Sequence, residues 1–184
     1  MRHNNHTTGP VCAFFIGIND NRMARVNGYN ARGEVFYGHD GNTDFMGYTH
    51  TPTQNKFLIY TLWFENPSWN MPSPDIFINA AADADIMSQS LIQITEVLDK
   101  AKKALPNTPV FNDPRKIGDT RRDIIYQKYA QIEGVEIPKT LRFKPESRDA
   151  VMETAAREGF TFPFIVRLCG QHQGKQMVML TITR

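Results

Sequence analysis

The order of elements in this sequence predicts an α/β protein, first a parallel layered unit and then a mixed lobe. Three observations predict it. From Pro74 onward, short apolar strand-like runs alternate with segments of helical periodicity. Ile86–Leu105 places Met87, Ser90, Leu91, Ile94, Val97, Leu98, Ala101 and Leu105 at three-and-four spacing, the stripe of one strongly amphipathic helix. Val11–Ile18 is a continuous apolar run that closes on Asn19-Asp20-Asn21, the pattern of a buried strand ending in a turn.

The remaining elements follow in chain order. Met1–Pro10 is polar, with His3 and His6 among Asn and Thr, and reads as a disordered leader outside the fold. The forty residues after Asn21 are rich in Gly, Asn, Asp and Thr, with strand-like pieces at Glu34–Tyr37 and Lys56–Phe64; periodicity does not resolve the topology between Arg22 and Met71. Asp75–Asn79 is a short strand, and Pro106 stops the long helix. Pro109–Asn112 is another strand. Thr120 is expected to cap a helix from Arg121 to about Ile132, with Asp123 as capping-box carboxylate and Gly134 as the stop. Ile137–Phe143 reads as a strand. Ser147–Glu158 reads as a helix with Val151, Met152, Ala155 and Ala156 on one face, ended by Gly159, and Phe162–Arg167 and Met177–Thr181 are the last strands. The expected organisation is a leader at 1–10, an α/β domain at 11–106 and a second domain at 107–184.

Composition sets the function classes. With 184 residues the chain fits one medium domain or two small ones, enough to bury a core without staples. No apolar run is long enough to cross a bilayer and Met1–Pro10 lacks an apolar signal core, so a cytoplasmic protein without membrane partners is expected. Cys12 and Cys169 have neither CxxC nor zinc spacing, and each is expected to be a free buried thiol. Residues 1–99 carry five Lys/Arg against ten Asp/Glu, while 100–184 carry sixteen against nine. The cationic half suits an anionic ligand, although solvated helix faces such as Lys100, Lys102 and Lys103 supply part of the excess. Basic residues are not interleaved with aromatics in any run, so nucleic acid is not the expected partner.

One stretch carries chemistry. Phe162-Pro-Phe-Ile-Val-Arg167 is an apolar strand ending on a cation, followed by a loop with Gly170 and Gly174 and by the apolar run Gln176–Leu180. A strand, cation and glycine loop in that order can lay backbone N–H groups and positive charge over a phosphate chain. The same spacing also describes any β-hairpin with a five-residue loop.

Taken together, Asp75-Ile-Phe-Ile-Asn79, Pro109-Val-Phe-Asn112-Asp-Pro114, Gly134-Val-Glu-Ile-Pro138-Lys-Thr140 and Phe162-Pro-Phe-Ile-Val-Arg167 with Gly170, His172 and Gly174 make the chain similar to the ATP-grasp superfamily. The likeness is to glutathione-synthetase-like members and to ATP-grasp domains found beside tetratricopeptide repeats, over roughly Asp75 to Leu180. It implies a pre-ATP-grasp α/β domain followed by the first α+β lobe of an ATP-grasp fold, in a ligase that activates a carboxylate with ATP and Mg²⁺ and couples it to an amine. On this resemblance Arg167 meets the nucleotide phosphates, and Gly170, His172 and Gly174 belong to the flap over them. Arg122, with Arg121 as alternative, takes the second cation position, where the family usually has Lys. Asn79 and Asn112 would face a carboxylate or peptide substrate. Asn79, Asp83 and Asp85 lie where open sheets receive ligands and are equally expected to cap the helix from Ile86. The family's Mg²⁺ ligands have no counterpart before Arg184, so the resemblance implies the N-terminal portion of a ligase, with no catalytic residue or metal ligand assigned within it.

Two other readings stand beside it. One is a non-catalytic binding module with a degenerate ATP-grasp fold. The other is an unrelated α/β enzyme using His39, Asp40, Asp44 and His50 as an acid–base or metal cluster. Apolar surface on the last strands would also favour a homodimer.

Overall fold

The computed structural model describes residues 11–38, 40–43, 57–61, 73–170 and 176–181. Its strands are β1 (Cys12–Ile16), β2 (Arg25–Tyr29), β3 (Val35–Gly38), β4 (Phe57–Thr61), β5 (Ile76–Asn79), β6 (Val110–Phe111), β7 (Phe164–Arg167) and β8 (Met177–Leu180). Its helices are α1 (Ser88–Ala104), α2 (Arg122–Tyr129) and α3 (Arg148–Arg157), with a 3-10 turn at Pro114–Thr120. The chain is a mixed α/β protein in two compact units, Met1–Arg121 and Arg122–Arg184. The expected leader lies outside the described residues, and no described helix is long and apolar enough to cross a membrane.

The first unit is organised by β1. Ala13, Phe14 and Phe15 are all buried, so both faces of the strand are covered, which is why its sequence is apolar throughout instead of alternating. It is flanked by β4 and β5, and β6 follows β5, giving an all-parallel sheet in the order β4-β1-β5-β6. From β1 the chain reaches β4 on one side through the antiparallel ribbon β2–β3, then builds β5 and β6 on the other side. The order therefore reverses between β1 and β5, whose outgoing connections lead to opposite sides of the sheet, the arrangement that favours a crevice outside their carboxyl ends.

Helix α1 covers one face of this sheet. Its buried residues are Ser90, Leu91, Ile94, Val97, Leu98 and Ala101, and the five apolar ones join Ala13, Phe15, Phe77 and Met87 in the core. Phe15 and Phe77 stack across β1 and β5 with ring centroids 5.9 Å apart. Each large side chain fully buried in such a cluster contributes about 1.5–3 kcal/mol. Lys102 Nζ donates to Pro106 O at 2.5 Å and Thr108 O at 2.7 Å, closing the helix end where Pro106 stops it. Arg115 pairs with Asp99 of α1 and with Asp113, and Ile117 of the 3-10 turn completes the core.

In the second unit α3 is capped as expected, with Ser147 Oγ accepting from Ala150 N at 3.1 Å and Gly159 at φ +72° ending it. Strands β7 and β8 form an antiparallel hairpin. Phe164 stands within 5.1 Å of Phe162 and 6.1 Å of Phe160, measured between ring centroids.

Several expectations are corrected. Thr120 does not cap α2: it ends the 3-10 turn, and its Oγ1 donates to Ile117 O at 2.8 Å, a local back-bond that takes the hydroxyl away from the next helix. Arg121 then runs extended, and α2 begins at Arg122 and ends at Tyr129, well short of Ile132. Ile137–Phe143 is not a strand, because among the described residues no neighbour pairs with it; Lys139 instead donates to Glu158 O and lies 5.2 Å from the Phe160 ring centroid. In α3, Ala155 is buried but Met152 and Ala156 are exposed, and the second buried position is Thr154. Strand β2 leaves no periodic signal in the sequence, because Arg-Val-Asn-Gly-Tyr carries a bulge at Val26/Gly28 and no alternation. Cys12 is buried as expected, but Cys169 is exposed in the turn after β7. Strand β6 and the 3-10 turn pack in the first unit.

Candidate functional site

Two places in the molecule bear on function, one in each unit. The first is the carboxyl end of the parallel sheet, where loops after β1 and β5 meet. Gly17 N donates to Asn42 Oδ1 at 2.8 Å and Asn42 Nδ2 donates to Gly17 O at 2.9 Å, so one carboxamide satisfies both backbone groups of the residue after β1. Asn42 also forms an antiparallel bridge with Ala81, and Thr43 N and Ala82 N bond to Ala80 O and Gly41 O at 2.7 and 2.8 Å. A Cβ on Gly17 would lie 3.0–3.1 Å from Ala81, Met87 and Ser90, so any side chain here would force those neighbours to give by a few tenths of an ångström. The segment Gly41-Asn42-Thr43 thus packs against the ends of both central strands.

The next residues of the β1 loop are locked to α1. Ile18 N donates to Ser90 Oγ and Ser90 Oγ donates to Ile18 O, both at 2.8 Å. Asp20 accepts from Ser88 N and Gln89 N at 3.0 Å and from Ser88 Oγ at 2.6 Å. This corrects the expected cap. The acceptor at the start of α1 is Asp20, from a distant loop, while Asp83 Oδ1 accepts from Asp85 N at 2.8 Å and Asn79 bonds elsewhere. The first-turn N–H groups of a helix are a ready anion site, and here an internal carboxylate takes them. Between Ile18 and Asp20, Asn19 is 8% exposed and its Oδ1 is buried with no hydrogen-bond partner.

Asn79 and Asn112, the expected substrate contacts, are brought together. Asn112 adopts φ +60° and its Nδ2 donates to Asn79 O at 2.9 Å. Asn79 is fully buried, and its carboxamide donates to Ala81 O and accepts from Ala81 N, both at 3.0 Å. Asn112 is half-buried at the end of β6.

The second place is the β7–β8 hairpin. Arg167 is the last residue of β7, half-buried and opposite Met177, and Gly170 follows in the left-handed region at φ +71°. The ladder continues one step beyond the strands through Leu168 N to Gln176 O at 3.3 Å. His172 and Gly174 lie outside the described residues. Arg122 opens α2 with its side chain exposed, and Asp123 follows in the first turn. An open depression of about 600 Å³ lies between Tyr126 and Ala130 of α2 and the segment Val135–Lys139, and neither Arg122, Arg167 nor Gly170 lines it.

Of the acidic and histidine cluster weighed from the sequence, His39, Asp44 and His50 fall outside the described residues, and Asp40 pairs with Arg25 at 3.6 Å on the surface. Among the described residues no three His, Cys, Asp or Glu side chains are placed to hold a metal ion. Burial and the Asp75 carboxylate push the Cys12 thiol pKa up, which disfavours the thiolate at this core position. Sequence reading missed Asp20, Asn42 and Ser90 as organisers of the sheet end; only the turn-rich composition around Asp40-Gly41-Asn42 hinted at one of them. Compared with protein-family models, with curated proteins and with solved structures, the chain matches none.

Proposed function

We propose that this chain is the nucleotide-binding N-terminal part of an ATP-grasp-type, ATP-dependent carboxylate–amine ligase acting in the cytoplasm. The observation that carries the reading is the hairpin on which Arg167 ends β7 and Gly170 turns the chain at φ +71°. A guanidinium at a strand end offers a planar fork to phosphate oxygens, and a glycine three residues on lets backbone N–H groups approach them. A layered parallel unit followed by a separate α+β unit supports the same reading, since that is the order of parts the resemblance implies. The anion site at the start of α1 is taken by Asp20, which leaves the cationic second unit as the better place for a phosphate chain.

In this reading ATP arrives with Mg²⁺, Arg167 and Gly170 hold the β- and γ-phosphates with His172 and Gly174 in the flap, and Arg122 is the second cation. The carboxylate or peptide substrate sits at the carboxyl end of the sheet, with half-buried Asn112 the contact in preference to fully buried Asn79. Phosphoryl transfer needs metal ions to neutralise developing charge, so turnover would require ligands from outside the described residues.

Calorimetric titration of ATP, with and without Mg²⁺, into the 184-residue chain and its Arg167→Ala variant tests the reading. Losing one charge-assisted contact costs about 1.5–3 kcal/mol, roughly a ten- to hundredfold loss of affinity. Equal affinity in both proteins, or no binding in either, overturns it. Binding without turnover in the complete protein would point instead to a non-catalytic nucleotide module.

A further inference from the structure

The ribbon of β2 and β3 carries one asparagine in a chemically distinct setting. Asn27-Gly28 is the only Asn-Gly step among these 184 residues. A glycine on the carboxyl side leaves the following amide nitrogen unshielded, because no Cβ stands over it. The ladder pairs Val26 with Tyr37 and Gly28 with Phe36, so Asn27 is the extra residue of the bulge, with no residue opposite it. Its side chain is exposed, and Arg25 Nε donates to Asn27 Oδ1 at 3.1 Å. Among the described residues this sheet has two strands, and a two-stranded ribbon is marginal in water, so its ladder opens readily.

We propose that Asn27 is a site of spontaneous deamidation, converting to aspartate and isoaspartate while Asn30, in the same strand–turn segment, keeps its amide. The Gly28 amide nitrogen gives up its proton to water or hydroxide and attacks Asn27 Cγ. A bond forms between them, the Cγ–Nδ2 bond breaks, and Nδ2 takes up a proton and leaves as ammonia. Water then opens the cyclic imide at either carbonyl, and nothing is oxidised or reduced. Negative charge builds on Oδ1 during the attack, where the Arg25 guanidinium already donates. Either product sets a new carboxylate beside Arg25, which also pairs with Asp40. The isoaspartyl product adds one methylene to the backbone at the bulge. Asn30 is the contrast: its Oδ1 accepts from Arg32 N and Glu34 N at 2.9 and 3.0 Å, its Nδ2 donates to Glu34, and Ala31 follows it. The inference does not depend on the nucleotide assignment.

The test is tryptic peptide mapping of the folded full chain during incubation at neutral pH and, in parallel, at mildly acidic pH. Asn27 and Asn30 fall in one tryptic peptide, Val26–Arg32, so its fragmentation compares them directly. The expected result is a progressive gain of the amide-to-acid mass difference at Asn27 alone, slowed in acid and abolished at that position by Asn27→Gln. Arg25→Gln should slow the gain about two- to fivefold, the worth of an exposed charged contact. An Asn27 that keeps its amide over weeks at neutral pH overturns the proposal, and so does loss at Asn30 at an equal rate. A rate that Arg25→Gln leaves unchanged overturns the part given to the guanidinium.

Discussion

The two units are built from similar elements but bury them very differently. Of the sixteen buried hydrophobic residues described, fifteen lie in Met1–Arg121 and only Ala155 lies in the second unit. In the first, a two-faced strand meets a six-residue helical stripe, and loops after β1 and β5 are tied by side chains from far away in sequence. In the second, α2 has no buried residue, and the hairpin exposes Ile165, Val178 and Met179. The difference teaches that strand and helix propensity suffice to form elements, while stability of a unit depends on whether their apolar faces find one another. It also separates the two in expected local stability, since the unit with few buried apolar contacts is the one expected to open more readily.

The largest expected effect sharpens that contrast. Ile94 is fully buried under the sheet, so Ile94→Ala should lower unfolding free energy by about 2–5 kcal/mol in urea titration. Met152→Ala in the exposed face of α3 should stay within about 0.5 kcal/mol. Equal losses would break the comparison.

A smaller effect is expected where the first unit is tied by distant side chains. Asn42→Ala strands the N–H and C=O of Gly17 and should cost about 1–3 kcal/mol. Asp20→Ala removes the cap of α1 and should cost about 1 kcal/mol, close to the value for Ser147→Ala at the start of α3. Circular dichroism during denaturation reads both. If Asp20→Ala were neutral while Ser147→Ala was not, the long-range cap would carry no weight.

The smallest perturbation is chemical. Thiolate, not thiol, reacts with iodoacetamide, and Cys12 is both buried and pushed up in pKa by burial and by Asp75. Mass mapping of the folded protein at neutral pH should find Cys169 alkylated and Cys12 untouched until the chain is unfolded. Labelling of both at similar rates would mean that the start of β1 opens readily.

Much of the fold was legible where a local rule operates. The stripe from Met87 to Ala101 predicted the buried face of α1 residue by residue, and the unbroken apolar run at Val11–Ile18 predicted a buried strand. Ser147 and Gly159 marked both ends of α3. The failures were positions where a local signal met a tertiary competitor. Thr120 has the composition of a cap, yet Ile117 O took its hydroxyl; Ile137–Phe143 has strand composition, yet no described neighbour supplies a ladder. At the candidate sites, the order strand, Arg167, Gly170 was readable because it is contiguous in sequence.

What the sequence determined by itself was therefore the class, a mixed α/β chain, together with its long helix, its central strand and the cation that ends β7. Tertiary structure alone decided the order β4-β1-β5-β6, the capping of α1 by Asp20 and the binding of Gly17 by Asn42. The reason is physical. Periodicity and capping act within a few residues and leave a pattern in the chain, whereas hydrogen bonds spanning 25 to 72 positions join groups whose local sequences carry no mark of the partner.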